Sequence, residues 1–237
     1  MRSTYAVRPF TFTHPDLPTN TPQIPSRIIL HRQGNPGATA INSLMWGNNT
    51  GTYTIHSYAD GVTCYEAVGP THHAFHVKEY AHTPNKFRTY GVYGSRGDYG
   101  SIGIESVDIL KDGKPALSQE TRVTLVLRVA NYIRQFPTIS TSNIYEHADL
   151  DPVNRADDLG DTLNLPDFRL DVEDVLSGRT PYRTVGVTAN GSRNTDLPPV
   201  PLVPAPPVSP TAPSPTSAIR LALGVIRTQL NDIERAL

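Results

Sequence analysis

Nine prolines crowd into residues 198–215, "PPVPLVPAPPVSPTAPSP", and no compact fold can run through them. Proline has no amide hydrogen to offer a helix or a sheet ladder, and its ring fixes φ. Such a run adopts extended polyproline II geometry at ~3.1 Å per residue, a semi-rigid spacer roughly 55 Å long. The 237-residue chain therefore divides into a body at 1–178, a Pro-rich linker at 179–216 and a tail at 217–237.

The tail, "SAIRLALGVIRTQLNDIERAL", carries Ile219, Leu223, Ile226, Leu230, Ile233 and Leu237 at steps of 4, 3, 4, 3 and 4. This is a heptad seam, with Ser217 placed to cap its start. A lone helix of this length containing Gly224 is marginal in water and needs a partner. The spacer holds it away from the body, so self-association is expected. Leucine falls at the a positions and isoleucine at d, which favours more than two strands. A coiled-coil trimer or tetramer is the expectation, with packing back on the body or docking to an envelope component as the alternatives.

The remaining composition excludes several classes. Hydrophobic residues make up 38% and charged residues 18%, as in a globular chain, and the body is long enough to bury a core. A formal charge of −1 leaves no electrostatic footprint for nucleic acid or an anionic membrane. Cys64 stands alone, which rules out an intramolecular disulfide and a cysteine zinc cluster. No apolar run reaches the ~18 residues of a membrane span. The opening "MRSTYAVRPFTFTHPDLP" lacks the apolar run of a secretory signal. Synthesis in a reducing cytoplasm is the expectation.

Within the body, "RIILH" (27–31) and "NIYEH" (143–147) are short apolar runs that each end on a histidine. "GTYTIHSYADGVTCYEAVG" (51–69) reads as two strands around an Asp60-Gly61 turn. "SIGIESV" (101–107) puts Ile102 and Ile104 on one face, Gly103 and Glu105 on the other. "GATAINSLMWG" (37–47) suggests a short helix. "ETRVTLVLRVANYIRQF" (120–136) carries Val123, Val126, Leu127, Ala130 and Ile133 on one helical stripe. Strands and helices alternate irregularly, so the expected body is α/β, with a mixed central sheet flanked by helices.

Of the eight histidines, His31 and His147 stand out. At the end of a strand, a side chain enters the mouth of a sheet rather than its packed middle. Asp157 follows ten residues after His147, with Asp158 beside it. Two imidazoles and a carboxylate satisfy three positions of a tetrahedral zinc and leave the fourth open. Glu105 reads either as an outward acid on an edge strand or as a general base. Arg155 is either a surface cation or a charge facing an oxyanion. Tyr53 is either strand filler or a hydroxyl aimed at the scissile group.

Taken in order, "IILHRQGNPGA", "GTYTIHSYADGVTCYEAVG", "HAFHV", "GSIGIESV" and "IYEHADLDPVNRADD" resemble the zinc N-acetylmuramoyl-L-alanine amidases. These are the amidase-2 group, shared with phage endolysins and peptidoglycan recognition proteins, and the likeness spans about residues 27–161. The resemblance implies Zn2+ held by His31, His147 and Asp157. One residue of slippage would hand the third place to Asp158, and the longer spacing favours Asp157. It further implies Glu105 as the acid that polarises water, and Tyr53 and Arg155 as catalytic partners, with Arg155 where lysine is usual. His76 of "AFHV" is implied to lie beside the substrate cleft, and Thr54 stands where many members carry a histidine. His72 and His73 are expected at the rim or surface.

The implied activity is hydrolysis of the amide between N-acetylmuramic acid and L-alanine in peptidoglycan. An endolysin, made in the host cytoplasm and acting on the cell wall after release, is the expected setting. A cytoplasmic muropeptide-recycling amidase is the nearest alternative, and a non-catalytic peptidoglycan-binding protein is another.

Overall fold

A computed structural model describes residues 5–17, 21–35, 37–77, 98–111, 113–150, 155, 158–159 and 163–179. Asp157, the Pro-rich linker and the heptad tail lie outside the described residues.

Six strands form one sheet: β1 (Ala6–Pro9), β2 (Arg27–Arg32), β3 (Ser57–Asp60), β4 (Thr63–Glu66), β5 (Ser101–Ser106) and, further along the chain, β8 (Ile144–Glu146). Their order is β1-β4-β3-β5-β2-β8. Every neighbouring pair is parallel except β3 and β4, which are antiparallel. That pair is the hairpin expected at Asp60-Gly61, with Gly61 at φ 53°, a left-handed turn conformation that glycine adopts without strain. A separate ribbon pairs β6 (Asp108–Lys111) with β7 (Lys114–Leu117).

Among the described residues, four α-helices accompany the sheet: α1 (Ala40–Thr50), α2 (Gln119–Gln135), α3 (His147–Leu150) and α4 (Leu165–Leu176). Their starts are set locally. The side chains of Thr39, Ser118 and Asn164 accept from the amides of Asn42, Thr121 and Asp167, satisfying donors that have no intrahelical acceptor. Among the described residues no helix is long and apolar enough to cross a membrane.

Alternation along the central strands separates the two faces of the sheet. Ile28, Leu30, Ile102 and Ile104 face one way and pack with Val126, Val129 and Ala130 of α2 and Phe168 and Val172 of α4. Each fully buried side chain of this size is worth about 1.5–3 kcal/mol. The stripe expected on α2 is therefore the one that docks. The burial on α2 is wider than that stripe, and it includes Arg128, which pairs with Glu66 of β4 and stacks 4.1 Å over the Tyr132 ring. The opposite face carries a smaller apolar set, Ile29, Val77 and Leu150.

The edge-strand reading of Glu105 is corrected. β5 lies inside the sheet between β3 and β2, and all six of its residues are buried. The mixed α/β fold expected from the sequence is the one observed. α4, β1 and the β6–β7 ribbon were not among the expected elements.

Candidate metal centre

The register of the sheet places the chemistry. His31 of β2 pairs opposite Glu105 of β5, and on the other side of β2, Leu30 pairs with Glu146 of β8. His147 follows directly as the first residue of α3. Three neighbouring parallel strands thus deliver their carboxyl ends to one spot, where open α/β sheets bind ligands.

At that spot, His31 Nδ1 lies 2.9 Å from His147 Nδ1. Asp158 Oδ2 lies 3.8 Å from the first and 3.4 Å from the second. A tetrahedral ion with ligand bonds of about 2.0–2.1 Å needs donor separations of roughly 3.4 Å. The observed triangle brackets that value. All three residues are buried, His31 at 4%, His147 at 3% and Asp158 at 8% exposure. Asp158 Oδ2 has no hydrogen-bond partner among the described residues. A buried, unsatisfied carboxylate oxygen costs free energy unless something binds it. Burial, with the neighbouring His147 and Arg155, also pushes the His31 imidazolium well below the usual histidine range, so the ring is neutral as a metal ligand must be. The donor set fits a zinc-type cation.

The described group therefore contains Asp158, the alternative to Asp157. Glu105 stands beside it. Burial first, then the charge of Asp158, holds its carboxyl well above the ordinary carboxylate range. The Tyr53 hydroxyl is likewise pushed up, by burial and by Glu105. Arg155 sits at the rim, half exposed, with Nη1 3.8 Å from Asp158 Oδ1. These groups border one cavity of about 180 Å³.

Other expectations change. Thr54 is fully buried, and its hydroxyl accepts from the Phe75 amide at 2.6 Å, so it braces the segment leading to His76 and does not face the cavity. His76 borders the cavity floor but is 6% exposed and bonded to His31. His73, expected at the rim or surface, is buried and paired with Asp98 at 3.0 Å. His56 accepts from the Gly103 amide, and burial pushes its pKa down to about 3.

Sequence reasoning missed Ser43 and Trp46, which sit one turn apart on α1 and border the cavity. Their three-residue spacing on a helix that follows a site strand was the available signal. Trp46 is 59% exposed where it borders the cavity.

The sequence matches no protein-family model and no curated protein. Solved structures do resemble it. PlyL superposes with a TM-score of 0.51 at 14% identity, over 70% of this chain and 96% of that one. The PlyG catalytic domain gives 0.51 at 14% identity, over 72% and 94%. The N-acetylmuramoyl-L-alanine amidase LysC from Clostridium intestinale URNW gives 0.49 at 15% identity, over 73% and 99%. The first two establish a shared fold over the body of the chain.

Proposed function

We propose that this chain, built on an amidase-2-type α/β fold, is a peptidoglycan hydrolase that cuts the amide between N-acetylmuramic acid and L-alanine. The observation that carries the reading is the triangle of His31, His147 and Asp158, with Glu105 register-paired to the first ligand. The five ordered motifs supply the substrate class. Zinc held by His31, His147 and Asp158 would supply Lewis acidity and lower the pKa of water toward neutrality.

The chain's own groups divide the remaining work. Glu105 takes a proton from the attacking water and returns it to the leaving amine. Arg155 and the Tyr53 hydroxyl face the charge that develops on the carbonyl oxygen. Trp46, exposed at the border of the cavity, offers a flat apolar wall to bound substrate.

Mass spectrometry of digested peptidoglycan tests the activity. The expected products are free L-alanine amino termini on released stem peptides and intact glycan strands. Cleavage within the glycan or within the stem, without release of the lactyl–alanine bond, overturns the assignment.

An endolysin that acts on the wall after release fits better than a recycling enzyme, because the Pro-rich spacer and heptad tail suit avidity on an extended substrate. Self-association through 217–237 belongs to the same proposal. A trimeric or tetrameric mass by light scattering is expected, and a monomeric mass rejects it.

A further inference from the structure

The outward nitrogen of His31 leads into a chain of hydrogen bonds that ends on a backbone carbonyl. His31 Nε2 lies 2.9 Å from His76 Nδ1, and His76 Nε2 lies 3.1 Å from Ser101 Oγ. The Ser101 hydroxyl lies 2.5 Å from the Asp98 carbonyl oxygen. Every link is buried.

A carbonyl oxygen only accepts, and this fixes each proton in turn. Ser101 donates to Asp98, so its oxygen accepts from His76 Nε2–H. A neutral His76 with that proton has a bare Nδ1, which accepts from His31 Nε2–H. His31 is then bare at Nδ1, the atom that faces His147 and Asp158. The tautomer a metal requires is thus dictated from three links away.

Sequence makes room for this arrangement. Gly103 lies beneath the His76 ring, and a Cβ there would stand 2.5 Å from it. Ser101, Gly103 and Glu105 share one face of β5 by alternation, so the strand supplies in turn the relay's hydroxyl, the gap for the imidazole and the acid.

We propose that His76 and Ser101 are positioning residues: the relay from the Asp98 carbonyl holds His31 in its Nε2–H tautomer and turns its ring toward the metal. This rests on the reading of His31, His147 and Asp158 as a metal centre. It reassigns His76 from substrate contact to support of a ligand, a role in which outer partners typically tune affinity by about 10–100-fold.

The test uses the full chain as wild type, His76→Leu, His76→Asn and Ser101→Ala. Zinc affinity is measured by chelator competition, and visible absorption is recorded after loading with cobalt(II). His76→Leu removes the acceptor at similar volume, and about a 10–100-fold loss of zinc affinity with an altered cobalt spectrum is expected. His76→Asn places Oδ1 where Nδ1 was, and should restore most of the affinity and the wild-type spectrum. Ser101→Ala should weaken binding in the same direction, and it carries the test should His76→Leu fail to fold. Unchanged affinity in His76→Leu and Ser101→Ala, or equal loss in the leucine and asparagine variants, overturns the relay alone. A wild-type chain that takes up no zinc overturns the metal centre, and the relay with it.

Discussion

Glu105→Gln should lower hydrolysis by about 10²–10⁴-fold, the usual contribution of a positioned acid–base group, while the protein keeps its zinc. The substitution preserves volume in a strand whose six residues are all buried, so the sheet should be undisturbed. What it removes is a carboxyl held by burial and by Asp158 well above the ordinary carboxylate range. The sign follows directly. A raised pKa keeps the acid protonated to higher pH than a free glutamate, so the base is lost as pH falls through that raised value. A bound cation would act in the opposite sense to burial at this carboxyl. The wild type should therefore lose activity on its acid side above the usual carboxylate range, and Glu105→Gln should lack that limb. Product release followed across pH, with zinc content measured in parallel, checks both statements. A zinc-replete Glu105→Gln variant that turns over at the wild-type rate removes Glu105 from the chemistry.

Asp158→Ala should empty the metal centre, and Asp157→Ala should not. Asp158 contributes a buried oxygen 3.4 and 3.8 Å from the two histidine nitrogens and has no hydrogen bond at that oxygen. Removing one of three protein ligands should weaken zinc by more than the roughly 10–100-fold typical of an outer partner. Melting temperature without metal should hardly fall, because Asp158 also repels Glu105 and its loss relieves that repulsion. Metal analysis of both purified variants gives the answer. Zinc retained in Asp158→Ala and lost in Asp157→Ala would return the third place to Asp157.

Much of this site is legible in the sequence because strand ends are legible. "RIILH" and "NIYEH" state where apolar runs stop, and parallel pairing then forces His31 and His147 together. The hairpin at Asp60-Gly61 and the docking stripe of α2 are equally local signals. The third ligand is different. Between Leu150 and Asp158 the sequence offers acids and amides with no apolar period, so nothing in it pins the register to one residue. Thr54 and His76 are less fully legible for another reason. Whether a polar side chain meets solvent or a buried partner depends on what lies across from it, and here those partners are Phe75 and His31. α4 did carry its pattern, with Leu165, Phe168, Val172 and Val175 on one face, but Asp167, Asp171, Glu173 and Asp174 dilute it. Asp171 is held by Arg122 of α2, a contact between helices that neither sequence states alone.

The strand order β5-β2-β8 has a kinetic consequence. His31 meets His76 across 45 positions and His147 across 116. Contacts of such separation form slowly, since loop closure must precede any gain from them. His147 and Asp158 are near neighbours in sequence, so the long closure is the one that brings His31 to them. With β8 undocked, His31 stands apart from His147 and Asp158, and the three-donor set is incomplete. If the proposed zinc centre forms, the rate of metal uptake on refolding should track the docking of β8 on β2.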